Sequence, residues 1–303
     1  MMYFRHALTL LTLALALSPS GAGARERRVT VAVLDMGGSA TAARVTERLT
    51  KLFASLTVKG TSLSLLDRGM SAAAARGVGY AGSLNMTLAE ARSLGAAVGC
   101  DFYLTGDAQT IRRSSSARPV YFESYASVFV VSTRTGRLVT WERPAAEAAT
   151  AEEAEASLLA TVERGAAVLY AGAVAAEAER EERDRFEPEP SVSAVIDLST
   201  DEGANAKSDL REPAPYRSLR PAYTEAASRA EAEATVDASV EISADGRVGR
   251  VEVVRWAGFG LDEEVVSTVR RMNFRPAERD GERVAVRVLL RYNFRRPPKT
   301  PNK

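Results

Sequence analysis

The sequence has very little of the side-chain chemistry on which most enzymes and metal sites depend. Its 303 residues include one histidine, His6, and one cysteine, Cys100. A lone cysteine forms no intrachain disulfide, and its usual role is that of a small buried apolar residue. Because His6 lies in a segment predicted to be removed, the mature chain would lack the commonest acid–base group and zinc ligand. We therefore predict no enzyme activity, no catalytic residue, no metal site and no cofactor-binding residue.

The chain also lacks an excess of charge of either sign. It carries 40 Lys and Arg against 39 Asp and Glu, which gives a formal net charge of +1. Such a balance provides no general attraction to a polyanion. We therefore expect no nucleic-acid partner.

No apolar run is long enough to be an ordinary membrane span. The run of apolar residues and threonines at Ala7–Leu17 has 11 residues and follows Arg5, whereas a spanning helix needs about 20. Small residues follow it and end at Ala24, which is the pattern of a secretory signal peptide. We predict a signal peptide over residues 1–24 and a periplasmic protein. The alternative is a retained segment that anchors the protein in the inner membrane.

The segment GVGYAG (Gly77–Gly82) fits the dinucleotide-binding pattern G-x-G-x-x-G. That fingerprint requires its glycines directly after a strand, in the turn that opens a helix. Here the preceding strand ends near Asp67, and the helix-like stretch RGMSAAAAR intervenes. The glycines are therefore predicted to connect two helices rather than to bind a cofactor.

Residues 28–178 predict an α/β domain with a mixed sheet and covering helices. The expected order is β-α-β-α-α-β-β-β-α, beginning with a strand at Val29–Met36 and ending with a long helix. Thr87 is the expected N-cap of a helix, with Glu90 as its capping-box partner. Three carboxylates are expected to make turn and cap hydrogen bonds rather than a catalytic pair. They are Asp35, Asp67 and Asp107.

This first domain resembles a known group of periplasmic domains. The segments VAVLDM, LLDRG, LGAAVGCDFYLTG and STRTGRL occur in the order found in curli-secretion-channel-type lipoproteins and in the amino-terminal domain of TolB-like proteins. The resemblance implies a non-catalytic assembly or recognition domain.

Residues 179–218 are predicted to be a charged, proline-containing linker, irregular from about 183 onward. The segment Val192–Leu198 within it is compatible with a short strand or with a docking segment. Both alternatives stay open.

Residues 219–297 predict a small β-β-α-β domain, followed by a tail over residues 298–303. ATVDASVEIS alternates strictly, so Val236, Ala238, Val240 and Ile242 share one buried face. ADGR predicts a tight turn, LDEEVVSTVRRM a helix, and Arg283–Phe294 one long final strand. The fold class is therefore α+β with two domains.

The final strand of so small a sheet is expected to have an open edge. Open edges expose unpaired N–H and C=O groups, to which an extended peptide can add as a further strand. Arg287 and Arg291 either discourage self-pairing of this edge or are ordinary solvated residues.

The second domain is similar to the carboxy-terminal domain of TonB. The resemblance rests on RPAY with Pro221 and Tyr223, on ISADGRVGRVEVVR, on the leucine-led helix and on Phe274-x-Pro276 before Gly281. It implies capture of the TonB box, a short peptide of outer-membrane TonB-dependent receptors, with Pro221 and Tyr223 as a lead-in contact. The residues it implies for the capturing edge are Val284, Ala285, Val286, Arg287, Val288, Leu289, Leu290 and Arg291.

Departures from that family leave two functional hypotheses. Thr224 replaces the usual proline after the tyrosine, Ala234 replaces a glycine, and Met272 replaces an aromatic residue. The family's amino-terminal membrane helix, which contacts inner-membrane motor proteins, is here replaced by a signal-like segment and an extra domain. The first hypothesis is energy-coupled transport across the outer membrane. The second is a periplasmic interaction or scaffold protein that transmits no force.

Overall fold

The computed structural model describes residues 27–58, 60–115, 117–186, 195–199 and 210–296. The predicted signal peptide and the tail lie outside these residues. A six-stranded sheet organises the first half of the chain, and a four-stranded sheet organises the carboxy-terminal part. The predicted α+β class with two domains is confirmed.

The first domain begins with parallel strands and continues with antiparallel ones. Its sheet has the order β2-β1-β3-β4-β5, and β6 also pairs with β4. The β1–β2 and β1–β3 pairs are parallel, and the pairs that involve β4 are antiparallel. The elements are β1 (Arg27–Val33), α1 (Ala40–Ser55), β2 (Thr61–Leu65), α2 (Arg68–Gly77), α3 (Leu88–Val98), β3 (Phe102–Arg113), β4 (Tyr121–Ser132), β5 (Leu138–Glu142), β6 (Ala145–Ala148), α4 (Ala151–Gly165) and α5 (Gly172–Asp184). Apart from the additional short β6, this is the predicted order.

The alternation of β1 explains how the sheet is covered on both faces. Val29, Val31 and Val33 lie in one core cluster with residues of α1, α4 and α5. Ala32 and Leu34 belong to a second cluster, which includes residues of α3 and of the carboxy-terminal domain. Successive strand residues point to opposite faces, so one sheet is packed against helices on one side and partly against the second domain on the other.

Two local predictions from the first domain are confirmed. Thr87 caps α3 and accepts a hydrogen bond from the Glu90 amide, while the Glu90 carboxylate accepts one from the Thr87 amide at 2.7 Å. Between Gly77, the last residue of α2, and α3 the chain forms a connector in which Gly79 and Gly82 have positive φ. The glycine motif therefore joins two helices.

The predicted long closing helix runs from Ala151 to Asp184 and is continuous through a π-helical turn at Ala166–Ala171 between α4 and α5. By length and composition it is the one helix of the described residues that could cross a membrane, which corrects the expectation that no segment is long and apolar enough. Its apolar residues Leu158, Val162 and Val174 are buried and belong to the core of the sheet. The core helix of a folded domain satisfies the same length and composition, and the packing favours that interpretation.

The carboxy-terminal domain packs one helix on its sheet. The described elements from residue 195 onward are β7 (Ile196–Asp197), β8 (Leu210–Arg211), β9 (Ala214–Pro215), α6 (Glu225–Ala230), β10 (Ala234–Ile242), β11 (Val248–Arg255), α7 (Leu261–Arg270), β12 (Phe274–Arg275), β13 (Ala277–Arg279), β14 (Glu282–Val284) and β15 (Val286–Phe294). Val236, Ala238, Val240 and Ile242 are buried, as their alternation predicts. They share a core with Leu261, Val265 and Val269 of α7.

The prediction of one strand over Arg283–Phe294 is wrong at its beginning. The chain forms two strands there, β14 and β15, separated at Ala285. Asp280 and Gly281 adopt positive φ and turn β13 back into β14. Val284 pairs with Ala277 in that hairpin. The chain changes sheets at Ala285, and β15 then pairs antiparallel with β10.

The predicted irregular tether contains three short paired strands among its described residues. β7, β8 and β9 pair with β15, β13 and β12, respectively. Strands of two residues have no periodic sequence signal, which is why their pairing was not predicted. Of the segment Val192–Leu198, residues 192–194 lie outside the described part. The remainder is both a short strand and a docked segment.

Candidate peptide-binding edge of the carboxy-terminal sheet

The strand β15 has one fully paired side and one side that is largely open. The four-stranded sheet has the order β11-β10-β15-β7. β10 pairs with β15 from Val286 to Phe294, whereas β7 reaches only Val286 and Arg287. No strand of the described residues pairs with the outer side of β15 beyond Arg287.

The direction of the backbone groups follows from the contact with β7. The Leu198 amide donates to the Arg287 carbonyl at 2.8 Å, so the backbone of Arg287 faces outward. Because these groups alternate sides along a strand, Leu289, Arg291 and Asn293 also direct their N–H and C=O outward. The Leu289 side chain is 42% exposed. The open edge thus combines main-chain donors and acceptors with an exposed apolar side chain.

Both arginines of the edge strand make cross-strand ion pairs. Arg291 donates to both carboxylate oxygens of Asp237 on β10, at 2.7 and 2.9 Å. Arg287 donates to Glu241 at 2.7 Å and to Asp197 of β7 at 3.3 Å. The hydrogen bond with Glu241 is the main reason that the pKa of Arg287 is raised. These side chains pair with their own sheet and leave the backbone edge beyond Arg287 without a paired strand among the described residues.

The residues predicted for the edge fall into three positions. Val284 lies on β14, and Ala285 lies between the two strands, where its carbonyl accepts from the Ile196 amide at 3.1 Å. The backbones of three residues face β10 by the same alternation: Val286, Val288 and Leu290. Arg287, Leu289 and Arg291 face the outer side, so they are the members of the predicted set that an added strand would contact.

The lead-in residues pack close to the end of β15. The Tyr223 hydroxyl donates to the Ala232 carbonyl at 2.7 Å and also lies 3.1 Å from the Ala227 carbonyl, and so holds α6 in place. Glu231, which ends that helix, forms an ion pair with Arg296 just beyond β15. Pro221 is half-buried in the same lead-in. The contact of Pro221 and Tyr223 with a receptor stays a prediction.

Thr224 has a local function that proline could not perform. Its hydroxyl oxygen accepts from the Ala227 amide at 3.0 Å as the N-cap of α6. The same hydroxyl donates to the Phe259 carbonyl. The departure from the family pattern at this position therefore supplies a helix cap and a tie to the loop after β11.

The loop Trp256–Gly260, named here the docking loop, lies in the carboxy-terminal domain and contacts the first domain. Phe129 of β4 stacks on Trp256 with ring centroids 6.0 Å apart, and it meets Phe259 edge-on at 5.5 Å. The Trp256 indole N–H donates to the Gly136 carbonyl at 3.0 Å. This contact between the domains was not predicted from the sequence. Two large aromatic residues within a glycine-rich break were the available signal of a buried contact.

Asn85 makes a second, polar contact between the domains. From the connector before α3 its amide donates to the carbonyls of Thr235 and Trp256, at 2.8 and 2.6 Å. Its carbonyl accepts from the Thr235 amide at 3.0 Å. The Asn85 side chain therefore hydrogen-bonds backbone groups of both β10 and the docking loop.

Asp262 holds the docking loop against the first turn of α7. Its two carboxylate oxygens accept from the amides of Ala257 and Gly258, at 2.9 and 2.8 Å. Burial raises its pKa to about 7, although these two hydrogen bonds act to lower it. Asp262 is thus a buried acid with a raised pKa that holds the loop through which the two domains meet.

The remaining predicted polar residues have structural roles. Asp67 caps α2 by accepting from the Met70 amide, Asp35 pairs with Arg68, and Asp107 accepts from the Tyr125 hydroxyl. Cys100 is buried, and its burial raises the pKa of the thiol to about 11. Among the described residues, no group of three or more His, Cys, Asp or Glu side chains is arranged to hold a metal ion.

Comparison with known proteins identifies the carboxy-terminal domain. The model of the family described as Gram-negative bacterial TonB protein C-terminal matches residues 220–295. The solution NMR structure of the Pseudomonas aeruginosa TonB CTD is 23% identical with a TM-score of 0.27, and the match covers 36% of this chain and all of that one. Hypothetical protein CT253 from Chlamydia trachomatis is 13% identical with a TM-score of 0.31, covering 46% of this chain and 98% of that one. No curated protein sequence matches the chain.

The resemblance of residues 28–178 to the curli-channel and TolB-type domains stays a prediction, as do the domain boundaries. The sheet and helix built by β10, β11, α7 and β15 lie within the matched segment. Residues 220–295 therefore form a domain of the TonB C-terminal family.

Proposed function

We propose that this protein captures the TonB-box peptide of an outer-membrane receptor as an added strand on β15. TonB C-terminal domains are protein-interaction domains, so a partner protein is the expected ligand. The observation that carries the proposal is the outward backbone of Leu289, Arg291 and Asn293. It presents main-chain groups that no strand of the described residues uses.

The expected affinity for the peptide is modest, and binding is reversible. Each main-chain hydrogen bond contributes about 0.5–1.5 kcal/mol net, so a short added strand binds without becoming permanent. Exposed Leu289 adds apolar contact and thereby some selectivity. Reversible capture suits a protein that serves energy-coupled transport across the outer membrane. Such transport is the function we favour for this periplasmic protein.

A periplasmic scaffold that transmits no force is the second candidate. The observation that favours it is the contact between the domains through Phe129, Trp256 and Asn85. A domain held against its neighbour in this way differs from one that extends on a long free spacer. In this second function the captured peptide would be tethered rather than pulled.

Replacement of Leu289 by proline is expected to weaken TonB-box binding about twofold to tenfold. The substitution removes an outward amide, and an edge strand tolerates proline where the amide faces solvent. Binding would be measured by NMR titration with synthetic TonB-box peptides, with shifts expected at Leu289, Arg291 and Asn293. Leu289→Ala is the matched control, because it shortens the side chain and keeps the amide. Equal binding by Leu289→Pro and Leu289→Ala, or shifts absent from β15 altogether, would contradict strand addition there.

Amino-terminal sequencing of the exported protein separates the two functions. A retained segment in the membrane fraction is expected for a transducer that contacts inner-membrane motor proteins. A protein that begins near Arg25 and occurs in the periplasmic fraction has no direct anchor, and it would favour the scaffold. Neither result affects the strand-addition test.

A further inference from the structure

The edge proposed for peptide capture is already partly occupied by this chain. Residues 195–199, named here the internal strand, lie beside the beginning of β15. Ile196 and Asp197 pair in parallel with Val286 and Arg287. The amides of Ile196 and Leu198 donate to the carbonyls of Ala285 and Arg287, at 3.1 and 2.8 Å. The internal strand therefore uses the kind of outward group that an added peptide would need.

Side chains reinforce this backbone pairing. Leu198 is 8% exposed and belongs to the domain core, against which Ile196 also packs. Asp197 lies between them on the opposite face and pairs with Arg287 at 3.3 Å. Burial acts to raise the pKa of Asp197, but hydrogen bonds from Ser199 and Arg287 outweigh it and lower the pKa, so the carboxylate is ionised at neutral pH. The segment thus binds with an apolar–acidic–apolar pattern.

A peptide that paired with the whole length of β15 would need the backbone groups that the internal strand already occupies. Beyond Arg287 the outward residues are Leu289, Arg291 and Asn293, whereas Ala285 and Arg287 are taken. A peptide restricted to the open part makes fewer main-chain bonds than one that extends along the whole strand. A full-length ligand and the internal strand cannot use Arg287 together, since its outward amide and carbonyl each serve one neighbouring strand.

We propose that the internal strand is a built-in competitor for the capture edge, displaced when an external peptide binds along the full length of β15. This inference rests on the proposed capture function. It also specifies the partner: an extended segment that runs parallel to β15 and places an acidic residue, opposite Arg287, between two apolar ones. Because the internal strand is covalently attached, it competes at an effective concentration on the order of millimolar.

The inference is tested with the chain's own sequence as the probe. A fluorescent peptide with the sequence of residues 192–200, VSAVIDLST, is added to the purified protein, and binding is followed by anisotropy. Asp197→Lys places a cation against Arg287 and is expected to release the internal strand. The variant should bind the peptide at least about tenfold more tightly than the wild type, because the attached competitor is gone.

Two controls keep the result specific. Glu179→Lys makes the same change of charge at an exposed position of α5 and should leave binding at the wild-type level. Leu198→Pro removes the amide that donates to Arg287 and should reproduce the effect of Asp197→Lys by a different route. Hydrogen exchange should show the Arg287 amide protected in the wild type, unprotected in both release variants, and protected again when the peptide is added.

The outcome also separates this inference from the proposed function. If both release variants bind the probe no better than the wild type while Arg287 has lost protection, the internal strand is not a competitor. An unprotected Arg287 amide in the wild type would overturn the inference as well. Because the probe is the chain's own segment, failure to bind TonB-box peptides would overturn the proposed function alone.

Discussion

Gly258→Ala is expected to lower the free energy of unfolding by about 2–5 kcal/mol and to loosen the two domains from each other. Gly258 has φ +72, a left-handed conformation that disfavours any residue with a Cβ atom. An added methyl group would lie 2.4 Å from Cε1 of Phe129, which is itself fully buried. Because Phe129 is enclosed in the core, we expect the docking loop to move away from β4.

The sequence provides both the control and the measurement for this variant. Gly281 has φ +81 with nothing within 4 Å of an added methyl group, so Gly281→Ala isolates the backbone cost. The two tryptophans of the chain, Trp141 and Trp256, both lie at the contact between the domains, where Trp141 meets Phe259 at 5.5 Å. Their emission should shift to longer wavelength in Gly258→Ala but not in Gly281→Ala. Equal stability of the two variants with unchanged emission would show that the loop does not depend on this close contact.

Local patterns in the sequence were sufficient for elements whose determinants lie within a few residues. The alternation from Val236 to Ile242 predicted the buried face of β10, and Thr87 with Glu90 predicted a capping box that the structure contains. In both cases neighbouring residues determine the structure, because side-chain periodicity and helix capping depend on residues a few positions apart in the sequence.

Features that depend on distant partners were not predictable in the same way. The role of Gly258 depends on Phe129, which comes from a strand of the other domain, and the binding of Ile196 depends on Ala285. The candidate edge was predictable only in part. The family resemblance located β15, but which amides face outward depended on the break at Ala285 and on the pairing with β7, neither of which has a periodic signal.

The stability of the protein is expected to fall as the pH rises from about 4 to about 7, and Asp262 is the reason. Its pKa is about 7 in the folded protein and about 3.9 in an unfolded chain. The folded state therefore binds a proton more tightly, and its advantage is complete below about pH 4 and lost as the pH rises through 7. Between pH 5 and pH 8 the loss is about 2–3 kcal/mol. Carboxylates with lowered pKa, such as Glu90 and Glu155, act in the opposite direction but below about pH 4.5.

This pH dependence is unusually easy to assign, because the chain has no histidine beyond His6. Denaturant unfolding followed by tryptophan emission at pH 5, 6, 7 and 8 would give the slope. Asp262→Asn keeps the size of the side chain and cannot titrate, so its stability should change far less across the same range. Glu142, whose pKa burial also raises, is present in both proteins, and its contribution cancels in the comparison.

A slope that survives in Asp262→Asn would assign the titration to another group, and a flat wild-type profile would mean that Asp262 is ionised without cost in the docking loop. The expected result, in which only the wild type weakens toward pH 8, would make the contact between the domains tighter in mildly acidic than in neutral surroundings.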